Sequence, residues 1–491
     1  MNLSPWFMLL PVLVPIISGF GLLVFRFRER LARDLYVEGF TILTSVLTLL
    51  AGLGCKDAAV SVISFPGNMT LALRVDGMSM VFALLVAFLW PFASLYAFCY
   101  MEPERGKNRF FAFYTATFGI TLGIAFSANL ITMYLFYELL TLITTPLVCH
   151  EMDKKSIHVA MKYLCYNIGG ATLAFIGLCF ISVLGKTTEF VYGGVLNAEA
   201  LSGSLTLVRA VYVVTFIGFG VKSALFPFQN WLPAASIAPT PVTALLHAVA
   251  VVNAGAFAII RVTYYNFGTE MLRGSWAQWV PMALCVITIV YGSTMSVKEP
   301  HFKRRLAFST VSNLSYILLG ASLMSTAGLT GGLTHMVFHG IIKITAFFCA
   351  GAVMTVAKRN YLSEMAGIGR RMPVTFAAFT IASCALVGIP PFNGFISKWK
   401  LVSAAVTDGS VMGVIGGIAI FVSAMLTVVY MFSVVIKAFF PQKGETLCDS
   451  GKDPGWMELL PMVVFSLLML LTGLFPQLLT GGLASVAAGL C

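Results

Sequence analysis

The sequence predicts an all-α polytopic membrane protein of about 14 transmembrane helices, built as two inverted five-helix repeats with discontinuous helices 7 and 12. Three observations predict it. Of 491 residues, 58% are hydrophobic and 10% charged, where soluble domains carry about a quarter charged. Roughly fourteen stretches of about 20 mostly apolar residues, the length that spans the hydrocarbon core, alternate with short polar turns. Two of these stretches are interrupted by proline and glycine at corresponding places in the two halves of the chain.

Hydropathy places the helices near 5–25, 37–54, 76–100, 110–126, 128–148, 157–184, 207–235, 240–263, 277–297, 304–323, 329–356, 373–405, 411–439 and 457–487. The first begins within five residues of Met1, lacks a basic leader and has no small-residue cleavage site before the basic segment Arg26 to Arg33. It is therefore predicted as a retained membrane helix. The first three helices form an N-terminal segment, 1–109. Helices four to eight form the first five-helix repeat, 110–263, and helices nine to thirteen the second, 277–439. A C-terminal helix occupies 457–491. The seventh span carries Pro227 and Pro233, followed by Pro239 and Pro241; the twelfth carries Gly388, Pro390, Pro391 and Gly394. Such residues break the ladder of helical hydrogen bonds. Paired breaks point to an inverted-repeat transporter with its ion site where the backbone unwinds. The two halves show no evident residue-by-residue identity, so the repeat rests on spacing and on the breaks. Nineteen lysines and arginines fall in loops after odd-numbered helices, against Lys56, Arg74, Lys186 and Arg273 after even-numbered ones. Positive charge stays inside, which places both termini outside.

The net charge of +11 is scattered over short loops rather than gathered in one arm or stripe, which excludes a nucleic-acid partner. Ten cysteines form no C-x-x-C pair, so no metal or iron–sulfur centre is expected. Most charges have an ordinary place. Lys162, Arg209, Arg261 and Lys437 lie near helix ends, where long stems snorkel to the interface. Lys222, Lys343 and Lys398 lack that explanation, and of the acids only Glu138 falls in the middle of a predicted span. Burying such groups costs at least a few kcal/mol, so each needs a partner or a water-lined cavity. His247 joins this set, as do His335 and His339 ahead of Lys343. Spacing of i, i+4, i+8 rotates about 40° and climbs about 6 Å per step, forming a slanted ladder on one helix face that suits a proton wire. The same spacing suits zinc, but no carboxylate or cysteine shares that face and Lys343 would oppose a cation.

These residues resemble the antiporter-like subunits shared by respiratory complex I, membrane-bound group 4 hydrogenases and Mrp-type sodium/proton antiporters. The similarity runs over residues 110 to 405. KSALFPFQNWLPAASIAPTPVTALLHAVAVV, Lys222 to Val252, is its most specific piece. YELLTL around Glu138, KRRLAFSTVSNLSY from Lys303 to Tyr316, HMVFHGIIK, and GIPPFNGFISKWK from Gly388 to Lys400 support it. The resemblance implies that Glu138 of the fifth helix and Lys222 of the broken seventh form an ion pair. It places His247 at a bridging position on the eighth helix, and His335, His339 and Lys343 at the polar axis of the eleventh. Lys398 becomes the terminal charged residue of the broken twelfth. Two departures favour a hydrogenase-type or Mrp-type relative or weaken the relay: Gln229 and Ser236 stand near positions where complex I members usually have histidine, and Asn253 stands where many Mrp-like relatives have lysine.

The resemblance implies a non-catalytic, proton-translocating subunit of an oxidoreductase complex in a bacterial or archaeal cytoplasmic membrane. Protons would pass in the order Glu138, Lys222, His247, His339, Lys343 and Lys398, with water filling the gaps. Displacing a carboxylate from a desolvated amine changes how firmly the amine holds its proton, which makes the first pair an electrostatic switch. No flavin, nucleotide, haem or iron–sulfur motif is present, so no cofactor is expected. The expected partners are other membrane subunits, including further antiporter-like ones, a peripheral redox module, and lipid. The alternatives are an Mrp-type Na+/H+ antiporter subunit or a stand-alone secondary transporter. Sodium would want several oxygen ligands, and one embedded carboxylate favours protons instead.

Overall fold

The structure is a computed structural model describing residues 3–490, except Arg26, Asp57, Gly67, Asn68, Lys443, Gly444, Thr446 and Asp449. Arg26, which opens the basic segment, thus lies outside the described residues. The first three spans are α1 (Leu9–Phe25), α2 (Arg30–Gly54) and α3 (Gly77–Tyr100), with a hairpin of β1 (Ala59–Phe65) and β2 (Met69–Arg74) between α2 and α3. Then come α4 (Lys107–Ala125), α5 (Leu130–Val148), α6 (Lys154–Leu184) and the broken seventh span, α7 (Leu205–Lys222) and α8 (Trp231–Ala235). The eighth span is α9 (Thr240–Ala248) and α10 (Val251–Arg261). The ninth to eleventh are α11 (Trp276–Lys298), α12 (Phe302–Ser322) and α13 (Thr326–Ala352). The broken twelfth is α14 (Pro373–Val387) and α15 (Asn393–Thr407), followed by α16 (Val411–Phe439), α17 (Trp456–Leu474) and α18 (Gln477–Ala487).

Eleven helices among the described residues are long and apolar enough to cross a membrane. The three remaining predicted spans fall short for physical reasons. The twelfth is divided into two fifteen-residue halves. α4 is buried from Phe110 to Ala125 except at Phe113, and α12 is buried throughout except at Arg304. A helix walled in by other helices need not be as apolar as one that faces lipid.

The chain crosses from face to face. At one face Arg30 pairs with Glu102, Arg109 donates to the His150 carbonyl at 2.7 Å, and Leu362 N–H donates to the Pro300 carbonyl at 3.0 Å. These contacts tie together loops that follow odd-numbered spans. At the other, Leu130 N–H reaches the Thr188 carbonyl at 3.3 Å, Val195 N–H reaches Asn266 at 2.8 Å, and Leu3 N–H reaches Gly54 at 2.9 Å. Tyr192 donates to the Ala487 carbonyl there at 2.8 Å, so both ends of the described chain lie at this second face.

Four elements differ from the sequence reading. The hairpin was not predicted; its strands are short, and it pairs Ala59 with Arg74 through Phe65 with Met69 across a bulge near Ser61. The last span is two helices, parted at Phe475 and Pro476. Pro233 does not break a helix: it sits in the first turn of α8, where its missing N–H is not needed, and the break is made by the segment around Pro227. A third break, unmarked by proline or glycine, parts α9 from α10 at Val249 and Ala250, where Ala250 N–H bonds back to Leu245 O at 2.9 Å.

The two halves of the twelfth span pack closely because Gly394 lies against the Ala385 carbonyl, where an added Cβ would collide with backbone. Gly394→Ala is therefore expected to destabilise the protein by about 1–3 kcal/mol, the usual cost of overpacking. Thermal unfolding of the detergent-solubilised protein measures it.

Candidate functional site

The eighth and eleventh spans, which carry the three histidines, are deeply enclosed: every residue from Thr240 to Phe267 is buried, as is all of α13 from Gly328 to Ala352 except Val337. Charge placed here has no access to lipid headgroups, so its surroundings must be made by the protein.

Lys222 is the last residue of α7, 1% exposed. Its ammonium donates to the Tyr137 carbonyl at 2.6 Å and the Thr141 hydroxyl at 2.8 Å, and lies 3.4 Å from the centroid of the Tyr137 ring. The position is favourable for a cation, because a helix C-terminus carries partial negative charge. Glu138 does not form the expected ion pair with it in this structure. Glu138 is half-buried, its Oε1 has no protein partner, and it faces an apolar crevice of about 550 Å³ between α5, α6 and the hairpin residues Phe65, Met69 and Leu71. Adjacent positions 137 and 138 lie about 100° apart around a helix, which explains why Tyr137 rather than Glu138 meets the lysine.

From Lys222 the polar path continues at the third break. Ser223 donates to the Val252 carbonyl at 3.0 Å, and Asn253 donates to the Ala248 carbonyl at 2.8 Å, supplying a donor to backbone that the break leaves open. Asn253 is thus a backbone cap in this chain. His247, one residue before that carbonyl, is fully buried with neither ring nitrogen paired to protein. Its ring lies 4.8 Å from Phe347 of α13, one turn past Lys343.

Along α13 the rings of His335 and His339 stack at 5.9 Å, and neither nitrogen of His339 has a protein partner. Lys343 turns toward α12, donating to the Leu306 carbonyl at 3.0 Å and to the Ser309 hydroxyl. At the far end His335 Nδ1 shares a 3.0 Å hydrogen bond with Ser397, and its ring lies 5.2 Å from Tyr316. Lys398 lies 5.4 Å from the centroid of the same Tyr316 ring and donates to the Leu386 and Val387 carbonyls at 2.6 and 3.1 Å. Those carbonyls end α14 because Gly388 takes a left-handed φ of 92°, a conformation that costs glycine little. Pro390 and Pro391 complete this break. The structure therefore places Lys398, His335, His339, Lys343 and His247 in one sequence of neighbours. Lys222 joins it through the α9–α10 break, with Glu138 at the outer edge.

Buried polar atoms normally find a partner in protein or water. Unpaired nitrogens of His247, His339 and His335 and Asn253 Oδ1 lie along these elements, with Gln229 Oε1 and Ser236 Oγ beside α8 and Asn313 Oδ1 on α12.

Several buried or half-buried charges escaped the sequence reading, among them Arg261, Lys303, Arg305 and Glu38. Arg261 does not snorkel: it is fully buried and bidentate to Asp76, at 2.9 and 2.7 Å, with a third bond to Ser79 at 3.0 Å. Lys303, counted among loop cations, is 3% exposed. Glu38, outside the middle of its predicted span, falls in the third turn of α2 because that helix begins at Arg30, and its Oε2 is buried without a protein partner. Arg209 and Lys437 do reach interfacial partners, the Met271 carbonyl at 3.1 Å and Glu445 at 2.7 Å.

Residues 127–427 match the family described as NADH:quinone oxidoreductase/Mrp antiporter, TM, and residues 63–111 match the NADH-Ubiquinone oxidoreductase (complex I), chain 5 N-terminus. The chain is 30% identical over 442 residues to Na(+)/H(+) antiporter subunit A1 of Staphylococcus haemolyticus, covering 86% of this chain and 54% of that protein. It thus spans about half the length of that relative. It is 28% identical to NADH-quinone oxidoreductase subunit N of Desulforudis audaxviator, over 95% of this chain and 96% of the other. In fold it matches a chain of the Mrp complex from Dietzia sp. (TM-score 0.84, 22% identity, covering 100% of this chain and 98% of that one). It also matches a chain of respiratory complex I from Thermus thermophilus (TM-score 0.82, 21% identity, 98% of each chain).

Proposed function

Because this chain belongs to the NADH:quinone oxidoreductase/Mrp antiporter family of membrane proteins, we propose that it is a proton-translocating, antiporter-like subunit of a multisubunit membrane complex. Protons pass along Glu138, Lys222, His247, His339 with His335, Lys343 and Lys398. One observation carries this reading: three buried lysines bond only to neutral oxygens, while the histidines between them keep ring nitrogens without protein partners. An amine solvated by carbonyls and hydroxyls can take up and release a proton without breaking an ion pair, and an unpaired imidazole accepts and donates through its two nitrogens. The breaks at Lys222, at Ala248 and at Val387 supply carbonyl dipoles that steady the moving charge.

Within this reading the two five-helix units, 110–263 and 277–439, are inverted repeats, each with its lysine beside the C-terminus of a half-helix. The face bearing Arg105, Lys107, Lys154 and Lys155 lies inside a bacterial or archaeal cell membrane, with both termini outside. The driving energy comes from partner subunits.

The test begins with an affinity tag on this chain. Detergent extraction is expected to bring other membrane subunits with it, and vesicles containing that assembly are expected to move protons, read by a pH-sensitive dye. A response to an electron donor identifies a redox-driven complex; a response to a sodium pulse identifies the Mrp-type exchanger that the antiporter A1 similarity favours. Lys343→Met is expected to lower translocation by about 100-fold or more, the scale of a lost proton-transferring group. A chain that isolates alone and carries a solute, or a Lys343→Met complex that translocates normally, overturns the reading.

A further inference from the structure

We propose that Glu151 and Lys303 form the inlet that connects the arginine- and lysine-rich face to the buried axis at His247. The proposal rests on the proton-translocating reading and adds the route by which protons reach it.

Lys303 lies in the first turn of α12, and its ammonium donates to the Ala238 carbonyl at 2.7 Å and to the Thr240 hydroxyl at 3.4 Å. The Ala238 carbonyl also accepts from Thr243 at 3.0 Å. Thr243 stands four residues before His247 on α9, so one helical turn separates the hydroxyl from an imidazole without protein partners. A continuous set of polar groups therefore descends from Lys303 through Ala238 and Thr243 to His247. On the same α12, Leu306, one turn beyond Lys303, accepts from Lys343, so the inlet and the central axis share a helix.

The outer end is open. Thr240 donates to the Tyr100 hydroxyl at 3.2 Å, and Tyr100 ends α3 just before the turn that lines a cavity of about 560 Å³. Glu104, Arg105, Arg109, His150 and the exposed Glu151 line that cavity. Partial desolvation at the cavity wall raises the Glu151 carboxyl above the usual carboxylate range, helped by the charges of Asp153 and Glu104, while Lys303 and Lys155 pull the other way. Lys303 has no ion-pair partner within contact distance among the described residues; its partners are the Ala238 carbonyl and the Thr240 hydroxyl. A carboxyl with raised proton affinity at the mouth, a desolvated amine below it and an unpaired imidazole beneath form a graded series.

In the transfer, Glu151 takes a proton from cavity water and passes it to the Lys303 amine once that group has given its own proton inward. The resulting ammonium releases it, through the Thr243 hydroxyl and bridging water, to a ring nitrogen of His247. Each group returns to its starting form, and nothing is oxidised or reduced.

Lys303 also holds the α8–α9 connection in place, so the experiment must separate anchoring from proton transfer. Lys303→Arg does so: arginine keeps the charge and the donors but does not release its proton. In vesicles holding the co-purified complex, Lys303→Arg and Lys303→Met are each expected to lower translocation at least about tenfold. Glu151→Gln is expected to change how the rate depends on pH at the basic face, leaving the dependence at the opposite face as in the parent. If Lys303→Met does not assemble, Lys303→Arg and Glu151→Gln decide. Normal translocation by Lys303→Arg, or an unchanged pH profile for Glu151→Gln, overturns the inlet. Lys343→Met measured alongside keeps the two readings apart: if it too translocates normally the axis itself is wrong, and if it fails while Lys303→Arg works only the inlet is wrong.

Discussion

Lys222→Ala is expected to reduce proton translocation by the reconstituted complex about 100-fold or more while the complex still assembles, as read by a pH dye and by size-exclusion elution. The assembly half of the expectation follows from the contacts. Removing the ammonium takes one donor each from the Tyr137 carbonyl and the Thr141 hydroxyl, although that hydroxyl still donates to the carbonyl at 3.5 Å; the cost is at most about 1–3 kcal/mol per buried group, and no buried counter-charge is stranded. The transport half follows from position. Lys222 ends α7 at a helix break, so a small shift of that half-helix changes which carbonyls solvate the ammonium. Lys222→Arg sharpens the result, since it preserves charge and stacking over Tyr137 but holds its proton; it is expected to fail like alanine. Glu138→Gln tests the other member of the switch at nearly constant volume. The structure shows the pair apart, with Glu138 facing the crevice by the hairpin and Lys222 turned inward. On the proposed function, the carboxylate's field at Lys222 changes as this edge of the protein is loaded or packed. Normal pumping by both Lys222→Arg and Glu138→Gln would remove the switch.

The buried lysines and histidines were legible in the sequence because the cost of burying a charge does not depend on knowing the fold. Lys222, Lys343 and Lys398 stand too far from the ends of their predicted spans to snorkel, and His335, His339 and Lys343 repeat at the period of one helix face. Their neighbours were less legible. Arg261 and Lys303 sit near helix ends, where a long stem ordinarily reaches water; that rule presumes a helix flanked by lipid, and α10 and α12 are walled by protein instead. The signal that could have separated them is composition. KRRLAFSTVSNLSY is rich in serine, threonine and asparagine, which lipid would reject, so its helix had to be interior and its first lysine with it. The proline-marked breaks were visible, whereas the break after His247 was not. AVAVVN contains no helix breaker, and the local cue is Asn253, whose amide caps the Ala248 carbonyl from five residues away. The hairpin was hidden because its strands join outside any span and depend on contacts such as Leu73 with Ser127.

Asp76→Asn is expected to be the most destabilising single substitution at the opposite face, by about 3–5 kcal/mol, because it strips the counter-charge from a buried cation. Asp76 caps α3 by accepting from Ser79 N–H at 2.8 Å and at the same time receives both terminal nitrogens of Arg261, while Arg74 approaches at 3.2 Å. Asparagine retains an acceptor for the cap, so the loss isolates the charge. Arg261 is fully enclosed, with its guanidinium within 5.3 Å of the ring centroids of Phe190, Phe257 and Tyr265, and no other carboxylate among the described residues pairs with it. Arg261→Met should cost less, since Asp76 keeps Arg74 and its cap. Combining the two substitutions should recover part of the loss, because an unpaired buried charge is then no longer present. The three melting temperatures in detergent form the cycle. The clamp joins the hairpin and α3 to the end of α10, fourteen residues beyond His247 on the same span and across the α9–α10 break. A destabilised Asp76→Asn complex that remains folded at low temperature should therefore translocate at the parent rate. A melting temperature equal to the parent's for Asp76→Asn would show that Arg261 finds its compensation elsewhere.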